Sequence, residues 1–178
     1  MKKTIKVIAM LLTLVMALGS FAACGKGSDN GNGGNDTGSS DNGGAAAIKG
    51  ETKSWGNITV FVPEGYDITG EEDDPDYVQV YLVSRPLQAF TICVVDSEED
   101  ALASIEITKE ANEVNGGAGD VTIKAGGVNW NGYAYKSGSD DCFVFYGKVG
   151  DKWIYVGGGY QTYNIGLTLK VLGSIKIG

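Results

Sequence analysis

The chain contains no histidine in 178 residues. That absence removes the side chain best suited to proton transfer near neutral pH, the commonest metal ligand, and every Ser-His or Cys-His nucleophile arrangement. Basic residues are also in short supply, 14 against 22 acidic ones, for a net charge of −8. Duplex nucleic acid requires a clustered positive surface to neutralise its phosphates, and this composition argues against it. Glycine is abundant instead, at 28 positions, roughly twice its usual share of about 7%.

The N-terminus reads as an address. Met1-Lys2-Lys3-Thr4-Ile5-Lys6 is cationic, Val7 to Leu18 is apolar, and Gly19-Ser20 breaks the run before Phe21-Ala22-Ala23-Cys24. A basic head, a short apolar stretch and small residues at a cut site are the features of an export signal. The apolar run falls short of the roughly 20 residues of a membrane span. Phe21-Ala22-Ala23-Cys24 resembles the lipobox of bacterial lipoproteins, which implies removal of residues 1–23 and diacylation of Cys24. The implied location is the outer face of the bacterial cytoplasmic membrane, with the N-terminal diacylglycerol as the membrane contact. Two acyl chains, at about 0.8 kcal/mol per buried methylene, hold a protein where one chain would not. A conventionally secreted protein is the alternative.

Residues 24–47 form the next segment, the lipidated cysteine followed by glycine, serine, asparagine, aspartate and alanine with one lysine and one threonine, and no large apolar residue. Nothing there offsets the entropy of ordering, so the expectation is a disordered tether with a reach of roughly 25 to 30 Å. Residues 48–178 are enough for a single core.

Within that domain, Asn57 to Val62, Tyr77 to Val83 and Ala89 to Val95 read as strands, with Arg85-Pro86 breaking the second from the third. Ser97-Glu98-Glu99-Asp100 is a helix start, serine cap and acid three residues on. Leu102, Ile105, Ala111 and Val114 follow near helical spacing, so one long helix is expected over about Ser97 to Val114. Strands resume over Val121 to Ala125, Val128 to Lys136 (either continuous or interrupted at Asn131-Gly132), Cys142 to Val149, and Lys152 to Gly157. Gly150-Asp151 is a two-residue hairpin loop between the last pair. A short helix over Ile165 to Leu172 and a last strand over Ser174 to Ile177 complete an α+β order around a mainly antiparallel sheet.

Two stretches carry a family resemblance. Ile58-Thr59-Val60-Phe61-Val62-Pro63-Glu64-Gly65-Tyr66 and Leu169-Lys170-Val171-Leu172-Gly173-Ser174-Ile175-Lys176-Ile177 resemble the two ends of small Gram-positive lipoproteins with a PsbP-like domain. The resemblance implies a curved antiparallel sheet with helices packed on it, and it transfers no site residues.

The Gly150-Asp151 turn predicts pairing of Val149 with Lys152, Lys148 with Trp153, Tyr146 with Tyr155, and Phe145 with Val156. One face then holds Phe143, Phe145, Val149, Ile154 and Val156, a plain core face. The other holds Cys142, Val144, Tyr146, Lys148, Trp153 and Tyr155. It is either a second packing layer or an aromatic platform for a glycan, a peptide or an envelope protein. Tyr133 and Tyr135 share one face of their own strand and would extend such a platform.

Other candidates are weaker. Glu71-Glu72-Asp73-Asp74-Pro75-Asp76 reads as an acidic loop whose spacing lacks the closing glutamate of an EF-hand; a solvated loop and a weak cation site are the two readings. Cys93 and Cys142 are either a disulfide, permitted outside the cytoplasm, or two buried thiols. Gly157-Gly158-Gly159 has no following Gly-Lys-Ser/Thr and marks a bend rather than a phosphate loop. No cofactor or metal site is predicted.

These features predict a lipid-anchored extracytoplasmic binding or accessory module without enzymatic activity. A structural or assembly protein of the envelope is the alternative, and a cation-dependent module or hydrolase comes third. Dividing the chain sharpens the charge: residues 48–178 hold 10 basic and 19 acidic residues, a net of 10 − 19 = −9. The acidity belongs to the domain.

Overall fold

The computed structural model describes residues 48–112, 119–159 and 165–178. The leader, Cys24 and the tether lie outside the described residues. Ten strands and two helices fall within them. The strands are β1 (Gly50–Trp55), β2 (Ile58–Pro63), β3 (Tyr66–Glu71), β4 (Asp74–Leu82), β5 (Arg85–Val95), β6 (Gly119–Ala125), β7 (Val128–Ser137), β8 (Asp140–Val149), β9 (Lys152–Gly158) and β10 (Lys176–Ile177). Helix α1 (Glu98–Asn112) follows β5, and α2 (Ile165–Leu172) precedes β10. The arrangement is α+β, and every described strand pair is antiparallel.

Seven strands form one sheet in the order β3-β4-β5-β9-β8-β7-β6, and three form a smaller one in the order β1-β2-β10. The inner face of the large sheet packs on the small sheet and α2. Val78, Val80, Phe90, Ile92, Phe143, Phe145, Ile154 and Val156 meet Ile58, Val60 and Val62 from β2 and Val171 and Leu172 from α2 in one apolar core. Trp130, with no exposed surface, closes its far end and donates from Nε1 to the Ala125 carbonyl at 3.3 Å.

The outer face is covered in part by α1, which lies across β5, β7, β8 and β9. This second layer explains why Cys142-Phe143-Val144-Phe145 and Ile92-Cys93-Val94-Val95 are unbroken apolar runs: both faces of these strands are buried. Ser97 caps α1, its Oγ accepting from the Asp100 amide at 3.1 Å and donating to Asp100 Oδ2 at 2.8 Å. The buried stripe is Ala101, Ser104, Ile105 and Thr108, at the i, i+3, i+4, i+7 positions of one helix face. Leu102, expected on that stripe, is 39% exposed; Val114 lies outside the described residues.

The 149/152, 148/153, 146/155 and 145/156 pairs are all observed. Gly150 takes φ +64°, the left-handed conformation a two-residue hairpin loop requires. Strand β7 runs through Asn131-Gly132 without interruption. Two further corrections concern turns. The β4–β5 reversal is at Val83-Ser84, and Arg85-Pro86 begins β5 instead of breaking the chain. The acidic stretch is no loop but a tight hairpin in which β3 ends at Glu71, Glu72-Asp73 turn, and β4 starts at Asp74. Strand β1 gave no sequence signal because Glu51-Thr52-Lys53-Ser54 is a largely exposed edge without apolar alternation.

Candidate functional site

Strand register arranges the outer face in ranks perpendicular to the strands. One rank reads Thr122, Asn131, Tyr146, Tyr155 and Cys93 across β6, β7, β8, β9 and β5. The rank nearer the β6–β7 and β8–β9 turns begins with Lys124 opposite Asn129 and ends with Lys148 opposite Trp153, which is opposite Val95. Continuing the β7–β8 register by two residues sets Asn129 beside Lys148. On the other side of Tyr146, the next ranks hold Tyr133 opposite Val144 and Tyr135 opposite Cys142.

Helix α1 divides these residues into two groups. Tyr133, Tyr135 and Tyr155 are 5%, 3% and 4% exposed and lie in a cluster with Cys93, Cys142, Val144, Ala101 and Ile105. Of the two readings of this face, packing layer and open platform, these three tyrosines take the first, and as members of a platform they are corrected. Tyr155 is held by a side-chain hydrogen bond with Thr108 of α1, and burial raises its phenol above the ordinary value. The Thr108 hydroxyl also donates to the Ser104 carbonyl at 3.1 Å, satisfying a polar group under the helix. Tyr133 and Tyr135 stack at 5.9 Å with an interplanar angle of 13°. The Lys109 ammonium stands 5.9 Å from the Tyr133 centroid and pairs with Asp120 at 2.8 Å.

Tyr146 and Trp153 are different, being half-buried at the margin of that cluster. Their ring centroids are 6.1 Å apart, tilted by 35°. The Lys148 ammonium lies 5.7 Å from the Trp153 centroid. Thr122 donates to Asn131 Oδ1 at 3.0 Å, which turns the amide nitrogen of Asn131 away from Thr122. Thr122, Lys124, Asn129 and Lys148 are exposed, and Asn131 is half-buried. The result is a strip of sheet about 14 Å across four strands with two aromatic rings, two amides, a hydroxyl and two ammonium groups. Thr122, Lys124, Asn129 and Asn131 were missed in the sequence. Gly126-Gly127 turns β6 into β7 with Ala125 opposite Val128, and reading that register as the Gly150-Asp151 turn was read would have aligned them.

The remaining candidates separate. Cys93 and Cys142 do not bridge each other. Cys93 is level with Tyr146 through Tyr155, two strands away, and Cys142 is four residues further along β8. At about 4.8 Å per strand and 3.4 Å per residue the separation is roughly 17 Å, far beyond the 7 Å limit. Burial pushes the Cys93 thiol up to about 12, the opposite of an activated nucleophile. The acidic hairpin is tied structurally: Asn57 Nδ2 donates to Asp76 Oδ1 at 3.0 Å, and the Asn57 amide to the Pro75 carbonyl at 2.8 Å. Among the described residues no three acidic or cysteine side chains converge on a point suited to a metal ion. Gly157 and Gly158 belong to β9, and their lack of a Cβ has a packing use. Tyr155 lies over Gly157 on the outer face, while Phe90 and Phe143, both opposite Gly158, meet at 5.9 Å on the inner face.

An open groove of about 420 Å³ runs between Lys49–Glu51, Val62–Gly65 and Tyr66. The Tyr66 hydroxyl accepts from Gln88 Nε2 at 3.2 Å, and burial raises its phenol. The polar side chains among the groove's lining residues are those of Lys49, Glu51, Glu64 and Tyr66.

No protein-family model and no curated protein matches the chain. Among solved structures, the chain is similar to the solution structure of cyanobacterial PsbP (CyanoP) from Synechocystis sp. PCC 6803. The TM-score is 0.44 at 12% identity, over 79% of this chain and 98% of that one. At that TM-score and identity the likeness assigns no residue a role.

Proposed function

We propose that the protein is a lipid-anchored extracytoplasmic accessory module without catalytic activity, which binds its partner on the open strip of the large sheet. The observation that carries the reading is the half-burial of Tyr146 and Trp153 beyond the margin of α1, beside Asn131, Lys124 and Lys148. Rings with one face packed and one edge wet, set among polar groups, are suited to recognition. The anchor rests on the lipobox-like Phe21-Ala22-Ala23-Cys24.

The test has two arms on the full chain. Cys24→Ser is expected to move the protein from the membrane fraction to the medium; retention at the membrane overturns the anchor. Tyr146→Ala with Trp153→Ala is expected to abolish capture of whatever envelope component the wild-type chain retains in crosslinked cells. Unchanged capture overturns the strip as the contact surface. A second reading, a purely structural protein with protein partners, is favoured by the β4–β5 hairpin, where Val83 and Leu87 are 60% and 57% exposed. In that case Val83→Ser with Leu87→Ser removes the captured component instead.

A further inference from the structure

We propose that the open strip binds an acidic carbohydrate, with sugar faces packed on Trp153 and Tyr146 and the ligand's carboxylate or phosphate groups paired with Lys124 and Lys148. The inference rests on the strip being the contact surface and adds the chemistry of what it takes.

Three features point to that class. The two rings are diagonal neighbours on β8 and β9, 6.1 Å apart, so they offer adjacent apolar surfaces rather than a single pocket. Sugars present apolar C–H faces and hydroxyl rims together. Asn129, Asn131 and Thr122 stand in the same two ranks and supply amide and hydroxyl groups for such rims.

The charge is the third feature and decides between neutral and acidic ligands. Lys53, Lys109 and Lys136 are each engaged by acids. Among the described residues no acid pairs with Lys124 or Lys148, although the domain carries 19 acidic residues. Lys148 rests over Trp153, a weak contact at an exposed site. A neutral sugar stacking on that ring displaces the ammonium and gives it nothing in return. An acidic sugar stacks on the ring and pairs with the displaced ammonium. The acid nearest the strip is Asp120, one rank from Thr122 on β6 and already paired with Lys109 of α1. Asp96 and Glu98 to Asp100 follow Val95 beyond the Trp153 end. Asp151 lies in the β8–β9 turn. They flank the strip and leave the Lys124–Asn129–Lys148 rank cationic.

The full chain in detergent micelles is titrated calorimetrically with polygalacturonate, phosphorylated mannan and neutral dextran. At least one acidic polymer is expected to bind while dextran does not, and which one binds separates carboxylate from phosphate recognition. Lys124→Gln with Lys148→Gln, at exposed positions, is expected to weaken binding about tenfold. Trp153→Ala, with thermal melting as the check on folding, is expected to abolish it. Raising salt from 50 to 300 mM weakens the wild type more than the double lysine variant. Dextran binding as tight as the acidic polymers, lost in Trp153→Ala and indifferent to the lysine pair, overturns the acidic class and leaves the strip as the binding surface. No binding to any polymer overturns the carbohydrate. Binding that Trp153→Ala leaves unchanged overturns both the carbohydrate assignment and the strip.

Discussion

Tyr155 on β9 stands directly opposite Cys93 on β5, and the two form the floor on which α1 lies. Both groups are acids held neutral by burial. The Cys93 thiol is pushed up to about 12 from 9.0, and the Tyr155 and Tyr77 phenols are raised above their ordinary value of 10.0, desolvation being the first cause in each case. The unfolded chain releases these protons near pH 9 to 10, whereas the folded chain keeps them. Stability conferred by the neutral groups is therefore complete below pH 9 and declines as pH rises from there toward 12. Urea midpoints are expected to hold up to about pH 9 and to fall from there toward pH 12. Cys93→Ala removes one of the three groups, so its midpoint should fall less over that interval. An equal decline in both chains would place the alkaline transition elsewhere.

Gly147 shows how tightly the inner face is set. A Cβ at that position would lie 2.9 Å from both Trp130 Cε3 and Val128 Cγ1. Trp130 has no room to retreat, being fully buried and bonded to the Ala125 carbonyl. Gly147→Ala is expected to cost about 1–3 kcal/mol, the usual range for overpacking a filled core. Chemical denaturation measures the loss, and a wild-type midpoint would show that the β7–β8 region yields more easily than its packing implies.

The hairpin loop at Gly150-Asp151 made the register of β8 and β9 legible from sequence, along with both faces of that pair, because loop length fixes pairing. Which side of the sheet α1 would cover was not legible. A strand sequence such as Cys142-Phe143-Val144-Phe145 says that both faces are buried but names no partner for either. The tyrosines at 133, 135 and 155 therefore looked equivalent to Tyr146 and Trp153 until the helix separated them. The stripe of α1 was obscured for a related reason. Its buried face mixes Ala101 and Ile105 with Ser104 and Thr108, whose hydroxyls donate to the Asp100 and Ser104 carbonyls, so apolar periodicity pointed to Leu102. The turn at Val83-Ser84 was hidden because Pro86 draws attention as a breaker, yet it sits near the start of a long strand where its missing N–H is tolerated.

The separation of Cys93 and Cys142 has a direct chemical consequence. In a chain carrying Cys24→Ser, neither remaining thiol is expected to react with a water-soluble thiol reagent in the native state, since both are buried. Two thiols per chain should appear on denaturation, and the melting temperature should not depend on reductant. A reductant-sensitive melting temperature, or loss of both thiols under oxidising conditions without dimer formation, contradicts the observed strand register.

The grip of α1 on the sheet is small relative to its length, and its N-cap is the contact whose removal disturbs the packing least. Ser97 makes both capping hydrogen bonds with Asp100, and Glu98, Glu99 and Asp100 complement the helix dipole in the first turn. The buried stripe contributes one large apolar side chain, Ile105. Ser97→Ala is thus expected to lower stability by about 1 kcal/mol, and most of that loss should appear as local opening of the helix rather than of the sheet. Amide hydrogen exchange distinguishes the two: amides of residues 101–111 should exchange roughly fivefold faster, as a 1 kcal/mol change predicts. Those of Phe143 to Phe145 and Ile154 to Val156 should keep their wild-type protection if the helix opens independently. Equal acceleration in β8 and β9 would mean that helix and sheet open as one unit, and the outer layer would then be as integral to the core as the inner one.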